Sequence, residues 1–121
     1  MTDVVRSSDC GNSPKNKLAE DIAIAMEVAD VAFLTPFFDA STAWRRPDGE
    51  RIGAAAIIET LRTAKPPSRV EVEHALSHGR VGAVSGSRKV GRAEERFCHV
   101  IEFSSVKCTG IRKIDSYRDS T

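Results

Sequence analysis

The strongest candidate for a catalytic or ligand-binding residue in this sequence is His99, because it falls on the apolar face of a strand-like segment. The segment RFCHVIEF alternates, and it places His99 on the same face as three apolar residues: Phe97, Ile101 and Phe103. An imidazole can accept or donate a proton near pH 7, so an inward His99 could act as a general acid or base. The alternative is a core histidine whose ring nitrogens are satisfied by hydrogen bonds within the fold.

Trp44, the only tryptophan of the chain, comes just before a turn formed by residues 47–49. It can form the wall of a ligand pocket, since such pockets have large apolar walls and few polar groups, or it can be a core aromatic under a helix.

The other two histidines are predicted to have structural roles and no catalytic or ligand-binding role. His74 shares an apolar strand face with Val70, Val72 and Leu76, and His78 precedes the turn residue Gly79.

The composition excludes several classes of partner. The 121 residues include 18 Lys and Arg against 17 Asp and Glu, so the net charge of +1 gives no electrostatic basis for binding nucleic acid or an anionic membrane. No apolar run approaches the ~20 residues of a membrane span. The first residues lack the apolar segment of a secretory signal.

The cysteines, Cys10, Cys98 and Cys108, are odd in number and lack metal-ligand spacing. We therefore predict free thiols in a reducing cytoplasm, and neither a metal nor another cofactor. Ser104 and Ser105 have no nearby base that would make either of them a nucleophile.

The sequence predicts one domain, residues 14 to 121, behind a disordered polar leader of residues 1 to 13. Ser13 and Pro14 fit the N-cap and the first position of a helix. The side of this helix opposite its apolar face is a mostly polar stripe: Asn16, Glu20, Ala23 and Glu27. Three further elements follow: a short helix from Val31 to about Phe38, a strand over 39–45 and a helix from Gly53 to Lys65.

The second half of the chain changes to a period of two, which predicts an antiparallel meander. Its strands cover residues 70–77, 80–89, 96–103 and 110–118. Gly82, Val84 and Gly86 are expected to face inward, where a glycine either bends the strand or leaves room for a ligand. Helices followed by a meander define an α+β fold with the helices on one face of a curved sheet.

Five segments of the chain carry a family resemblance: AMEVADVAFLTPFFDASTAW, PDGERIGAAAIIETLR, HALSHGRVGAVSG, RFCHVIEF and GIRKIDSYRD. In this order, over about residues 15 to 119, they resemble the nuclear transport factor 2-like superfamily, and its SnoaL-like and ketosteroid-isomerase-like branches most of all. The resemblance implies a cone-shaped curved antiparallel sheet wrapped around three N-terminal helices, with a pocket at the wide end. It does not imply one activity, because members include isomerases, cyclases, dehydratases, epoxide hydrolases and proteins without catalysis.

The resemblance also implies positions around that pocket. Trp44 falls where the isomerases keep a carboxylate base, and His99 falls where a protonated aspartate donates to the oxyanion. Ser116 falls where the epoxide hydrolases keep a catalytic aspartate, and Ile22 falls where a tyrosine hydroxyl supports the oxyanion. We therefore expect no carboxylate in the pocket and His99 as its one titratable group. The expected lining is Trp44, His99, Ser116, Ile22, Val84 and Ile114.

The opposite face of the sheet is predicted to be small and mildly apolar, which is unusual for a solvated face. It carries Ala75, Ser77, Val81, Ala83, Ser85, Cys98 and Val100. The resemblance implies dimers packed through this face, so we expect a homodimer.

Three functions remain open on the sequence. The first is a SnoaL-like pocket protein that binds a small apolar ligand and lacks the isomerase and epoxide-hydrolase carboxylates. The second is an isomerase, cyclase or dehydratase that acts on an apolar cyclic substrate with His99 as general acid/base. The third is a non-catalytic dimeric interaction module.

Overall fold

The computed structural model describes residues 1–8 and 13–120, and in these residues a curved sheet covers one long helix. The helices are α1 (Pro14–Val28), α2 (Val31–Leu34) and α3 (Ala54–Thr63), with a 3-10 turn at Thr35–Phe37 after α2. The strands are β1 (Asp3–Val5), β2 (Ala43–Arg46), β3 (Gly49–Ile52), β4 (Arg69–His78), β5 (Val81–Val90), β6 (Ala93–Phe103) and β7 (Ile111–Ser120). None of the helices in the described ranges is long and apolar enough to cross a membrane.

The strands form one sheet in the order β1-β4-β5-β6-β7-β2-β3. The long strands β4 to β7 make the predicted antiparallel meander. The sheet as a whole is mixed, however, because β1 runs parallel to β4 and β2 runs parallel to β7. The predicted α+β cone is confirmed, and the expectation of a purely antiparallel sheet is wrong at these two pairs.

Helix α1 begins where the sequence predicts. The Ser13 hydroxyl accepts a hydrogen bond from the Asn16 N–H at 3.2 Å, and Pro14 is the first helical residue. The stripe predicted to be mostly polar is nevertheless buried, since Glu20, Ala23 and Glu27 are at most 5% exposed. The reason is that α1 contacts β4 and β5 on one side and α2 on another, so little of its circumference reaches solvent.

The N-terminal segment is ordered where the sequence predicts a disordered leader. Strand β1 pairs with β4, and Arg6 then reaches α1, where its guanidinium lies 2.9 Å from Glu20 and 2.7 Å from Asp21. The Ser7 N–H also donates to Glu20 at 3.0 Å. These contacts explain how a carboxylate can be buried at position 20, because a buried charge needs a partner. Residues 9–12 of the predicted leader, which include Cys10, lie outside the described residues.

Arg6→Ala is expected to lower the free energy of unfolding by about 1 to 2 kcal/mol, because Glu20 stays buried while its ion pair is lost. The control is Lys17→Ala, which removes an exposed pair with Asp21 on the helix surface and should cost at most about 0.5 kcal/mol. Urea unfolding measures both values. Equal losses for the two variants would contradict the structural role of the N-terminal segment.

A β-bulge in β4 reverses part of the predicted strand pattern. The pairing of β4 with β5 shifts between Val72 and His74, so the residues after the bulge exchange faces. His74 and Leu76 are exposed on the outer face, and Ala75 is fully buried. The prediction that His74 and Leu76 share the inner face with Val72 is therefore wrong, and Ala75 does not belong to the outer face.

The inward glycines of β5 make room for the fold itself. A β-carbon at Gly82 would lie 2.9 Å from the Ala19 side chain of α1, and one at Gly86 would collide with the backbone carbonyl oxygen of Glu71. Gly86 pairs with Val72, at the edge of the bulge. The two glycines thus allow the helix and the bulged strand to approach β5 closely.

Candidate functional site

Three of the predicted pocket residues meet on the inner face of neighbouring strands. His99 of β6 lies directly opposite Ser116 of β7, and Trp44 of β2 lies opposite Ile114, two residues before Ser116 on the same face. All three are largely buried, with exposures of 1% for His99, 9% for Ser116 and 6% for Trp44. The pairing of β7 with both β6 and β2 brings the three together on one face of the sheet, which is the placement that the resemblance implied.

The three side chains are joined by hydrogen bonds. The Trp44 indole Nε1–H donates to Ser116 Oγ at 2.8 Å. Ser116 Oγ also lies 2.7 Å from His99 Nδ1, and His99 Nε2 lies 2.6 Å from Glu27 Oε2. The result is a continuous chain of hydrogen bonds, Trp44–Ser116–His99–Glu27, that runs from β2 across β7 and β6 to α1.

Glu27 is the residue of the hydrogen-bonded chain that sequence analysis missed. It was assigned to the polar stripe of α1, whereas the structure buries it and directs it at His99. A signal was present, because apolar residues surround Glu27 on the helix: Ile22, Ile24, Ala25, Met26 and Val28. A helix that is apolar almost all round is buried, and a charge within it needs a partner inside the fold.

Two arginines from the sheet form ion pairs with the Glu27 carboxylate. Arg88 of β5 places Nε 2.8 Å from Glu27 Oε1, in an orientation that forms an ion pair but no hydrogen bond. Arg118 of β7 donates to both carboxylate oxygens at 3.3 Å. Both arginines also approach Glu95, at 2.9 Å for Arg88 and 3.6 Å for Arg118. Glu27 is therefore an anion surrounded by donors.

The hydrogen-bond network assigns the protons. An indole N–H can only donate, so Ser116 Oγ accepts from Trp44 and its own proton is free for His99 Nδ1. An ionised Glu27 can only accept, so His99 Nε2 carries a proton. Neutral His99 therefore accepts from Ser116 and donates to Glu27. If Nδ1 gains a proton, the same contacts persist with the direction of the Ser116 bond reversed.

The surroundings of Glu27 keep it ionised. Burial raises the pKa of Glu27, but the hydrogen bond from His99 and the attraction of His99, Arg118 and Arg88 lower it by more, so the pKa lies below the usual 4.5. A lowered pKa in the folded state stabilises the fold above the unfolded value, and this stability is lost as the pH falls through the folded value.

We expect the stability difference between the wild type and Glu27→Gln to shrink as the pH falls below 4.5, because only the wild type has a carboxylate to protonate there. Glu59→Gln is the control, since Glu59 is exposed on α3. Denaturant unfolding at pH values between about 3 and 7 measures the three curves. A difference that stays constant over this range would contradict the assigned role of Glu27.

The hydrogen-bonded chain faces a cavity of about 430 Å³. Trp44 and apolar residues of two helices and the β5–β6 hairpin form one part of its lining: Met26, Leu61, Ala64, Val90 and Ala93. Arg46, Lys65, Arg88 and Arg118 supply four basic groups against the two carboxylates of Glu27 and Glu95. The lining thus has an excess of two positive charges.

Arg46 also covers Trp44, with its guanidinium carbon 4.7 Å from the ring centroid. A guanidinium over an indole face is a favourable cation–π contact, and it holds Arg46 beside the aromatic wall. Arg46 Nε is 3.1 Å from Asp48, which lies in the turn after β2.

The other predicted pocket residues lie elsewhere. Ile22, Val84 and Ile114 are fully buried members of the apolar core and do not line the cavity. The expectation that no carboxylate faces the cavity is wrong, because Glu27 reaches it from α1 and Glu95 from β6. None of the three strand residues that the resemblance assigned to the pocket, Trp44, His99 and Ser116, is a carboxylate. The two carboxylates come from positions that the resemblance did not assign.

The chain has the α+β cone fold that solved nuclear transport factor 2-like proteins have, and this is the fold that the resemblance implied. Solved structures confirm this. A proposed SnoaL-like polyketide cyclase from Shewanella denitrificans OS-217 superposes with a TM-score of 0.67 at 16% identity, over 88% of this chain and 91% of that one. A proposed ketosteroid isomerase from Kribbella flavida gives 0.73 at 13% identity, over 88% and 78%.

A nuclear transport factor 2-like protein of unknown function from Burkholderia xenovorans LB400 gives a TM-score of 0.72 at 14% identity, over 88% and 84% of the two chains. At these identities the likeness shows the fold alone. Comparison of the sequence with protein-family profiles and with curated proteins gave no match.

Proposed function

We propose that this chain binds a small molecule with an apolar body and an acidic group in the cavity beside Trp44. One observation carries this proposal: the cavity joins an aromatic and aliphatic wall to a lining with four basic and two acidic side chains. Apolar walls with a few placed polar groups are typical of ligand sites. The apolar body of the ligand follows the sequence-based hypothesis. The acidic group of the ligand is inferred from the excess of basic side chains in the cavity lining.

Lys65 is the basic group best placed for an incoming anion. Arg88 and Arg118 are engaged by Glu27 and Glu95, and Arg46 by Asp48. Lys65 follows α3 at the cavity wall and is exposed to solvent. An acidic ligand would meet this lysine while its apolar part rests against Trp44.

Trp44 fluorescence tests the proposal, since the single tryptophan gives a signal with one source. The probes are 1-adamantanecarboxylate and 1-adamantanecarboxamide, which share an apolar cage and differ in charge. We expect saturable change with both, and binding of the acid about 10-fold tighter, equivalent to about 1.4 kcal/mol. Lys65→Met should remove most of this preference, and Lys107→Met, in an exposed loop, should not.

Two results would overturn the proposal. Absence of any fluorescence change with folded protein would mean that neither probe reaches Trp44. Equal affinity for acid and amide would remove the acidic group from the ligand and leave the apolar ligand of the sequence-based hypothesis.

The alternative of an isomerase, cyclase or dehydratase with His99 as direct general acid/base receives less support. Both ring nitrogens of His99 are bonded to protein side chains, at 2.7 Å to Ser116 and 2.6 Å to Glu27. A substrate can therefore exchange a proton with His99 only through Ser116 or after displacing one of these contacts.

We also propose that the outer sheet face binds a second copy of the chain, and the bulge in β4 favours this. It turns Leu76 outward, where it is 63% exposed, on the same face as Tyr117 at 59% and Val81 at 39%. Sedimentation velocity should give a dimer for the wild type and a monomer for Leu76→Lys. Ile52→Lys is the control, because Ile52 is 62% exposed on β3 at the far edge of the sheet. A monomeric wild type at micromolar concentration would contradict the dimer.

A cytoplasmic location remains a proposal. It is supported by Cys98 and Cys108, which are free thiols in the part of the chain that the structure describes.

A further inference from the structure

We propose that Ser116 is a nucleophile for acyl transfer, with His99 as its base and Glu27 as the residue that positions His99. The substrate class is a small carboxylic ester whose acyl group is apolar. The proposal rests on the cavity accepting a small ligand, and it adds a reaction to that binding site.

The contacts have the arrangement that an activated nucleophile needs. Ser116 Oγ is 2.7 Å from a histidine nitrogen, and the other nitrogen of the same ring is 2.6 Å from a carboxylate. Such a hydroxyl–imidazole–carboxylate series is recognised by geometry and roles rather than by sequence order. Here Nδ1 faces the serine and Nε2 faces the carboxylate, and either nitrogen of an imidazole can take the proton.

The position of Ser116 is suited to attack. Its side chain lines the cavity together with Trp44 and His99, so a bound ester can lie against all three. Ser116 is held in β7 between β6 and β2, which fixes its backbone. The Trp44 N–H already donates to Oγ at 2.8 Å, and this contact stabilises the negative charge that grows on the oxygen as its proton leaves.

Glu27 provides the negative charge that stabilises the imidazolium form of His99 during the reaction. When His99 takes the proton of Ser116 it becomes an imidazolium, with both N–H groups donating. Glu27 accepts from Nε2 at 2.6 Å and is itself held as an anion by Arg88 and Arg118. The imidazolium thus forms beside a buried carboxylate that is already ionised and oriented.

The steps balance in atoms and protons. Ser116 Oγ adds to the ester carbonyl carbon as its proton moves to His99 Nδ1. The bond from that carbon to the leaving oxygen then breaks, and an alkoxide leaving group takes the proton from His99. Water next adds to the acyl-serine, His99 accepts a proton from it, and Ser116 recovers its proton as the carboxylic acid leaves.

The test uses the wild-type chain and p-nitrophenyl acetate, whose leaving group is a coloured phenolate. Stopped-flow absorbance should show a burst of about one phenolate per chain. Mass spectrometry of digested protein from an acid quench should locate the acetyl group on the peptide that contains Ser116. Ser116→Ala should reduce the burst rate at least about 100-fold. Ser104→Ala, in the exposed β6–β7 loop, should leave it unchanged.

The role of Glu27 has its own measurement. Glu27→Gln should lower the burst rate and move the midpoint of its pH profile to lower pH, because the imidazolium loses its ionised partner. The charged groups that face His99 and Glu27 are Arg88 from β5, Glu95 from β6 and Arg118 from β7. A midpoint that does not move would overturn this positioning role, since lost stability alone leaves the profile in place.

The experiments can overturn the acyl-transfer proposal without overturning the ligand-binding proposal. If the adamantane probes bind and no acetyl group appears on Ser116, the nucleophile is overturned and the binding site stands. Acetylation confined to surface lysines, with the same rate in Ser116→Ala, also overturns it. An acetyl group on Ser116 that depends on His99 supports it, and His99→Gln is the variant that shows this dependence.

Discussion

Glu27→Ala is expected to lower the free energy of unfolding by about 3 to 5 kcal/mol, which is the usual result when one partner of a buried ion pair is removed. The carboxylate is 1% exposed at the side chain and contacts His99, Arg88 and Arg118. Without it, His99 Nε2 loses its acceptor, and Arg88 and Arg118 each lose one of their two carboxylate partners. Urea unfolding, followed by circular dichroism, measures the loss.

Two comparisons make this result specific. Glu59→Ala, on the exposed face of α3, should change stability by at most about 0.5 kcal/mol. Glu27→Gln should cost less than Glu27→Ala, because an amide oxygen can still accept from His99 Nε2. A loss of under about 1 kcal/mol for Glu27→Ala would mean that the residue is solvated, and the described site would be wrong.

Gly86→Ala is expected to destabilise the chain by about 3 kcal/mol or more, since inserted atoms in a packed site force the backbone to move. The added methyl group would collide with the carbonyl oxygen of Glu71 and lie 2.9 Å from the Phe97 ring. Neither neighbour can yield easily, because one is backbone and the other is buried. Thermal unfolding should show a drop in Tm of more than about 10 °C.

Ser85→Ala is the matched control for Gly86→Ala. Ser85 is the neighbouring residue of β5 and faces the opposite side of the sheet, half-buried. An alanine there should change Tm by only about 2 °C. If Gly86→Ala were tolerated equally well, the close approach of β4 to β5 at the bulge would be contradicted.

The part of the site that lies on the strands was predictable because successive side chains of a strand alternate between its two faces. Once residues 96–103 are taken as a strand, His99 must share a face with Phe97 and Ile101, and the structure confirms this. The resemblance placed Ser116 in the pocket, and the pairing of β6 with β7 sets it opposite His99. Trp44 required the resemblance, because only the long-range pairing of β2 with β7 brings it beside Ser116.

The helix half was missed because burial of α1 is a tertiary property. The periodicity of α1 separates a polar from an apolar side. It does not show that Arg6 and Ser7 contact Glu20, or that Arg88 and Arg118 form ion pairs with Glu27. Such partners are distant in sequence. The β4 bulge was missed for a related reason, since it depends on Gly86 in the neighbouring strand.

A small-molecule ligand is proposed to bind beside the Trp44–Ser116–His99–Glu27 chain. The Trp44 indole N–H resonance in a ¹H–¹⁵N correlation spectrum tests this binding most directly, because the sequence has one tryptophan. On titration with 1-adamantanecarboxylate, we expect a saturable shift of this resonance together with the backbone amides of Ser116 and His99. Shifts confined to the outer face around Leu76 and Tyr117, with an unmoved indole resonance, would contradict ligand binding in the cavity and place the binding site on that surface.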